Sequence, residues 1–468
     1  MGNLTLPLIR GDKVDANVDY RDALPVNMFA VRRDILEAKG YMLAFSGLER
    51  VGTAFGADRA GNYNDRFDEH YRVSGQTFCR LNVDGTVDNL GAVPGSTQCA
   101  TPYSFNTQCV ISDGNMYLYD AVGGFRQVVD ADLGSPIDGV WVNGYYFMTD
   151  GEYIFHTDID DESSIDPLKF KTAEFMPDKS LGVGKTQDNK IIVFGRYTLE
   201  YFYDEAAANF AFTRIESRGQ KIGIVATHAK CEAESQWFIT GSRKEESLGV
   251  HMVTVGAPVK VSSREVDEYL ETYTEAELSD MRMEARTEHD SSFVYVHLPN
   301  ETLVYNLAIA KEFGSPYAWC IIKTGAADQV YRGINGVFDS LRGYWVYGDK
   351  VDGRLGHCND AVFTQYGEDQ EWYLYSPLVG LEAQSINSLE IETLPGHNIT
   401  ADATVAMSIT YDGVVYSTEW WELYGELGGY SKRFIIRRLG YVPHLVGFRF
   451  RGVTSSRMAF LKLGIDYG

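Results

Sequence analysis

The stretch YYFMTDGEYIFHTD, residues 145–158, reads as two short strands of aromatic and β-branched residues folded back on each other at Asp150-Gly151. Asp-Gly between apolar runs signals a hairpin, because the turn needs a residue that accepts positive φ. The same design recurs in YRVSGQTFCRLNV (71–83), CVISDGNMYLYD (109–120), IIVFGRYTLEYFYD (191–204), WFITGSRKEESLGVHMVTV (237–255), FVYVHLPNETLVYNL (293–307) and YWVYGDKVDGRLGHC (344–358). Successive starts are separated by 38, 36, 46, 46, 56 and 51 residues, close to the length of a four-stranded propeller blade. Seven such units predict a β-propeller of about seven blades, six or eight being compatible with the same spacing. A stack of β-sandwiches is the other all-β arrangement. No WD or kelch signature marks the units, so the repeat is one of pattern alone.

Composition agrees with an all-β chain. Of 468 residues 13% are aromatic, with 30 Tyr and 24 Phe, beside 46 Gly and 13 Pro, a balance suited to pleated, half-buried surfaces joined by tight turns. Further turn dipeptides stand at Asp84, Asp113, Asp138, Asp352 and Asp412 and at Asn143 and Asn335, each followed by Gly. Helix is confined to SSREVDEYLETYTEAELSDMRMEART (262–287) and a short piece from Arg33 to Lys39 before Gly40. In the first of these, Thr274 and Glu277 have capping-box spacing for a second helical turn.

Beyond about residue 376 the rhythm changes. SLEIETLPGH, TVAMSITYDGVVYS, KRFIIRRLGY, LVGFRFRGVT and MAFLKLGID predict five strands of a compact antiparallel sandwich. Val446, Phe448 and Phe450 alternate with Gly447, Arg449 and Arg451, giving one buried and one solvated face. The expected division is a segment 1–49 packing with the C-terminal unit, a propeller over 50–365, and a sandwich platform over 366–468.

Charge divides along the same line. The chain carries 42 Lys and Arg against 65 Asp and Glu, a net of −23. Residues 431–468 hold eight basic groups and one acid, Asp466, a net of +7, leaving −30 for the remainder. An acidic body repels a polyanion, which argues against a whole-protein nucleic-acid binder. The basic cluster reads as a solvated face, as a docking surface for an acidic partner, or as a DNA contact that the acidic remainder weakens. Six cysteines at 79, 99, 109, 231, 320 and 358 lack regular spacing and read as reduced, packed thiols. No secretory signal and no run of 18 apolar residues occurs, and Leu6 breaks the myristoylation pattern, so a soluble protein without membrane insertion is expected.

Chemistry-bearing motifs fail on specific residues. LGVGKT (181–186) has Lys179 where a phosphate-binding loop needs its first glycine. TDIDDESSIDP (157–167) has Ser163 and Lys169 where a calcium-binding EF-hand loop needs glycine and a bidentate glutamate; a looser calcium site remains open there. His228 with Cys231, and His357 beside Cys358, lack a second pair at zinc spacing. No G-x-S-x-G elbow is present, and no pair of carboxylates is singled out. The expectation is a non-enzyme with no catalytic, cofactor or metal residues and no cofactor.

Resemblance carries the reading further. DYRDALPVNMFAVRRDILEAKGYMLAFSGL (19–48), above all LPVNM (24–28) and GYMLAFSGL (40–48), resembles the opening of the tail hub, or packaged-DNA stabilisation, proteins of short-tailed Salmonella phages and related podoviruses, although that family commonly has Pro where Ser46 stands. TDIDDESSIDP, VFGRYTLEYF (193–202), HLPNETLVYN (297–306) and WCIIKTGAADQVYRG (319–333) are similar to the family in the same order. The resemblance implies a structural virion protein: a homohexameric ring assembled in the host bacterial cytoplasm that follows the portal and its adaptor ring, closes the DNA-filled head, extends the exit channel, and anchors the tail needle and tailspikes. Packaged DNA would pass through without specific binding, repelled by carboxylates. The competing class is a propeller hydrolase or binding module acting on cell-surface glycans. The basic region singles out Arg437, Arg438, Arg449 and Arg451 as ring or adaptor docking residues, on a unit expected to make the head-proximal contact.

Overall fold

Each of the seven hairpins becomes a pair of adjacent strands in its own antiparallel sheet. The computed structural model describes residues 2–468 apart from 15–19, 34–37, 160, 174, 208, 289–290, 327, 395–402 and 426–427. Blades 1 to 6 span 58–92, 108–127, 138–172, 180–214, 230–260 and 282–330 in order. Blade 2 has three strands extended by bridges at Ala100 and Tyr103, and blade 6 has five. Blade 7 joins the strands of 333–359 to Gly47–Thr53, which pairs with Arg354–Asn359 from Arg354↔Thr53 to Asn359↔Gly47. A strand from before the first blade thus becomes the outermost strand of the last, and the first strands of blades 7 and 1 pack together to close the ring. The fold is the predicted β-propeller followed by a β-sandwich, with seven blades.

Alternation explains the blade interiors. In blade 3, Tyr146 and Met148 pack with Leu118 and Phe155 in one buried cluster, whereas Tyr145 and Phe147 pack with Val183 and Val193 of blade 4 in another. Both faces of an inner hairpin are therefore buried between blades. At the 150 turn, Asp150 Oδ1 accepts from Glu152 N and Tyr153 N at 2.9 and 2.7 Å, and Gly151 sits at φ 101°. Two of the dipeptides are not turns: Asp138-Gly139 and Asn335-Gly336 lie inside the first strands of blades 3 and 7. Their glycines answer to close approach, since a Cβ on Gly336 would lie 2.7 Å from Arg286 Nε and one on Gly139 2.5 Å from Ile111.

Helix Arg264–Glu271 and the 3-10 turn Glu277–Asp280 occupy the expected helical stretch. The capping box forms: Glu277 Oε2 accepts from Thr274 N at 2.8 Å and Thr274 Oγ1 accepts from Glu277 N at 3.3 Å. Leu307–Phe313 is a further helix, capped by Asn306 Oδ1, which accepts from Ala308 N and Ile309 N. The helix expected from Arg33 to Lys39 falls mostly outside the described residues.

The sandwich has two sheets. One runs in the order Phe434–Val442, Gln384–Thr393, Ala459–Tyr467, Tyr41–Ala44, Met28–Val31, with Gly2–Pro7 also paired to Ala459–Tyr467. The other runs Gln370–Tyr375, Leu445–Thr454, Thr404–Thr410, Trp420–Leu423. Val446, Phe448 and Phe450 are buried between them. The opposite face is half-buried rather than solvated, because Arg449 and Arg451 lie over neighbouring aromatic rings.

Residues 25–27 join the two units. Val26 exchanges hydrogen bonds with Tyr373 of the sandwich, both at 3.0 Å, while Ile321 of blade 6 donates to Pro25 O at 2.9 Å and accepts from Asn27 N at 2.8 Å. Asn27, buried and at φ 52°, completes the seam with its side chain: Nδ2 donates to Glu371 O at 2.7 Å and Oδ1 accepts from Lys323 N at 2.8 Å. Sheet hydrogen bonding therefore runs from blade 6 through Val26 into the sandwich.

Candidate functional site

The four arginines picked out from sequence divide into two pairs. Arg451 and Arg449 project from Leu445–Thr454 on the same side. Arg451 grips Glu419 in a bidentate pair, Nε to Oε1 at 2.8 Å and Nη2 to Oε2 at 2.9 Å, and Nη1 reaches Glu371 at 2.9 Å. Such fork-to-carboxylate geometry is the strong form of the charge-assisted hydrogen bond. It holds Arg451 well above its ordinary pKa and lowers that of Glu419. Arg449 stacks 4.6 Å from the Tyr416 ring centroid and 6.0 Å from that of Tyr373, with Nη2 3.8 Å from Glu419. Both guanidiniums already have partners within the chain.

Arg437 and Arg438 lie on Phe434–Val442, an outer strand of its sheet, and both are exposed. A register shift opposite Ile386 and Ser388 inserts an extra residue there, and Arg438 adopts φ 62°. A bulge bends its strand and re-aims side chains, which is how two consecutive arginines both reach solvent. Neither forms an ion pair among the described residues. Nearby Arg433 does, bidentate to Glu390 at 2.6 Å for each bond.

A second concentration of charge was not legible from sequence. Where blade 7 meets blade 1, buried Arg72 pairs with Asp58 at 2.7 and 3.1 Å, and Asn335 Nδ2 donates to Asp58 Oδ1 at 2.9 Å. Arg72 Nη1 donates to His70 Nε2 at 3.0 Å, so His70 is neutral, with its Nδ1 proton on Asp339 at 3.0 Å. Burial, reinforced by Arg72, lowers the His70 pKa to about 4. Between blades 6 and 7, Arg286 lies between the rings of Tyr295 and Tyr347, 4.0 Å from each centroid, and bonds Glu284. Glu284 also accepts from His297 Nε2 at 2.6 Å and from Gly336 N at 2.6 Å. Burial and nearby Lys350 lower His297 to about 3. Removing one partner from a buried pair of this kind typically costs about 3–5 kcal/mol, and Asn335 and Gly336 of blade 7 tie the Asp58 and Glu284 carboxylates of these pairs to their neighbouring blade.

The remaining motifs are absorbed by the fold. Ser180–Lys185 is the first strand of blade 4, with Lys185 paired to Ile191 across a turn, so its backbone amides serve the ladder rather than a phosphate. In the acidic loop Asp158 binds Lys169 and accepts from Ser164 Oγ at 2.7 Å, Asp161 accepts from Ser163, and Glu162 accepts at 2.6 Å from Thr107, the residue before blade 2. Among the described residues no group of three or more His, Cys, Asp or Glu is placed to hold a metal ion, and no helix is long and apolar enough to cross a membrane. All six cysteines are unbridged, and burial raises their thiol pKa values.

An outer strand borrowed from before blade 1 and a sandwich sewn to blade 6 at Val26 describe this chain as a whole, and both units are matched together. The family model described as Bacteriophage P22 Gp10, beta-propeller, matches residues 4–363, and that described as Bacteriophage P22 Gp10, beta-sandwich, matches 371–468. The chain belongs to the P22 Gp10 family. A curated relative, tail hub protein gp10 of Salmonella phage P22, is 29% identical over 471 residues, covering 96% of each chain. Among solved structures, a streptogramin B lyase shares 8% identity at a TM-score of 0.43, covering 67% of this Gp10-family chain and 97% of its own. The N-terminal domain of Nup159 shares 11% at 0.42, covering 72% and 98%.

Proposed function

We propose that this Gp10-family protein is a tail hub: a ring that attaches below the portal and its adaptor, closes the DNA-filled head and extends the exit channel. The observation that carries the reading is the match of the propeller and sandwich models in order along nearly the whole chain, with a tail hub protein aligned across 96% of both sequences. Its physical character supports the role. A structural hub needs fixed geometry between its working surfaces, and the seam at 25–27 together with buried hydrogen bonds between blades, His70 to Asp339, Asn335 to Asp58 and Gly336 to Glu284, supports it.

The residues before Gly47 and 366–468 act in this reading as one platform facing the head; because Gly47–Thr53 pairs into blade 7, the expected boundary at 49/50 moves to Gly47, and 47–365 act as the propeller. The ring is a homohexamer, and it anchors the tail needle and tailspikes. Charge suits a conduit: at −23 per chain, carboxylates repel phosphates, so DNA slides through without specific binding. Arg437 and Arg438, exposed and unpaired among the described residues, are the ring or adaptor docking groups. Arg449 and Arg451 shape the same unit through Glu419. The hub has no catalytic residue, cofactor or metal.

Negative-stain imaging of the purified chain mixed with portal and adaptor rings tests the reading. Density added to the distal end of the adaptor is expected; adaptor rings that stay bare at saturating chain would overturn it.

A further inference from the structure

The outer strands of a sheet are where chains meet, because their unpaired amides and carbonyls are open templates. Trp420–Leu423 is such a strand. Among the described residues it pairs only with Thr404–Thr410, through Ala406↔Trp421 and Met407↔Trp420, and all four of its residues are exposed. Trp420, Trp421 and Leu423 keep 40%, 52% and 51% of their surface in solvent. Natural sheets blunt a free edge with short strands, charged side chains, Pro or a bulge; this four-residue strand carries one charge, Glu422, and neither Lys, Pro nor a bulge.

The other sandwich sheet ends in an edge of opposite character. Phe434–Val442 is bulged, and it presents Arg437, Arg438 and Tyr441, the last 59% exposed. Trp, Tyr and Arg are the residue types that dominate protein–protein hot spots. One edge is thus aromatic, with Glu422 exposed and in no ion pair among the described residues, and the other is basic, with two arginines likewise uncommitted. The matching chemistry already occurs within the chain, where the Arg451 guanidinium sits 5.5 Å from the Trp421 ring centroid.

We propose that two copies of this chain associate head to tail, the Trp420–Leu423 edge of one against the Arg437–Arg438 bulge and Tyr441 of the next. Arginine against indole and Arg against Glu422 supply the specific contacts, and burial of Trp421 and Leu423 supplies apolar area. Because the two surfaces differ, the contact is heterologous: each copy uses both, and a rotation that closes produces a ring. The proposal rests on the hub reading for the need of a ring and assigns the uncommitted arginines to the neighbouring copy rather than to the adaptor.

Sedimentation velocity of the full-length protein at low salt tests this with two variants, Trp421→Ser with Leu423→Lys, and Arg437→Glu with Arg438→Glu. The wild-type chain should sediment as a higher oligomer and each variant alone as a monomer with unchanged circular dichroism. An equimolar mixture of the two should stop at the dimer, since only one intact edge and one intact bulge remain. A variant that assembles like wild type, a mixture of folded variants that stays monomeric, or a wild-type chain that is monomeric throughout would overturn the proposal. A monomeric wild type that still decorates the adaptor ring would leave the hub reading standing, and a ring that ignores the adaptor would leave this contact standing.

Discussion

Asn27 is the position where one side chain bonds to both units. Its carboxamide serves Lys323 N of blade 6 and Glu371 O of the sandwich, at 2.8 and 2.7 Å, while its backbone sits at φ 52°. Asn27→Gly keeps the backbone conformation and removes both hydrogen bonds. Each orphaned, partly buried backbone group costs about 1–2 kcal/mol, toward the lower end of the range for buried groups, giving about 2–4 kcal/mol. Asn27→Ala adds about 1 kcal/mol more, because a Cβ without a local polar partner disfavours the left-handed region. Guanidinium unfolding followed by tryptophan fluorescence should show one transition in the wild-type chain, where blade 6 and sandwich share a hydrogen-bonded sheet. In Asn27→Ala it should separate into two, the sandwich unfolding first. A single transition shifted by less than about 1 kcal/mol, or Asn27→Gly less stable than Asn27→Ala, would refute the role given to the seam.

Acid should weaken the junctions between blades. His70 titrates near 4 in the folded chain against an ordinary 6.5, and His297 near 3; the unfolded state therefore binds more protons in that window. Their neutral forms contribute stability that is complete above about pH 6.5 and lost as pH falls toward 4, about 3 kcal/mol for His70 alone. Denaturant midpoints measured at pH 7.5 and 5 should differ accordingly, and His70→Gln should reduce that difference by the His70 share while leaving that of His297. Gly336→Ala should cost about 2–4 kcal/mol in thermal melts, since its Cβ would meet Arg286 and Tyr347, 2.7 and 2.8 Å away. Arg451→Met should lose about 1–3 kcal/mol of sandwich stability by leaving Glu371 and Glu419 without their partner, and Glu419→Gln should lose less. Native protein titrated with a thiol reagent at pH 8 should react slowly at all six cysteines, because burial raises every thiol pKa, that of Cys79 to about 12.

What the sequence makes legible here is whatever depends on neighbours. Hairpins such as 145–158 announce themselves because both strands and their turn lie within 14 residues, and the Thr274–Glu277 capping box because its hydrogen bonds close over three. Helix Leu307–Phe313 had a readable signature, Asn306 before it and Gly314 after it, which the preceding strand pattern obscured. Gly47–Thr53 gave no such sign: GLERVGT alternates like any edge strand, and only its partner Arg354–Asn359 makes it part of blade 7. The LPVNM piece stood out by resemblance, but the work of Asn27 depends on Lys323 and Glu371, about 300 residues away. Arg451 and Arg437 look alike in the sequence for the same reason. Glu419, which holds one and not the other, lies on a separate strand connection. Buried Arg72 and Arg286 were invisible because charge in a sequence reads as surface until its partner is placed.

The borrowed strand of blade 7 also sets a timetable. Gly47–Thr53 leaves the ribosome about 300 residues before Arg354–Asn359, which at typical synthesis rates is a wait of about 15–60 seconds. Throughout that interval six nascent sheets can form from local contacts, while the early strand stays unpaired. Ring closure is then the slow, non-local step, since bringing such distant segments together costs loop entropy before any contact rewards it. Freeing that strand by cutting the chain beyond Thr53 would turn an intramolecular latch into a bimolecular one. A synthetic peptide carrying GLERVGT should then compete for the open edge of Arg354–Asn359 during refolding, yet fail to enter once the latch has shut.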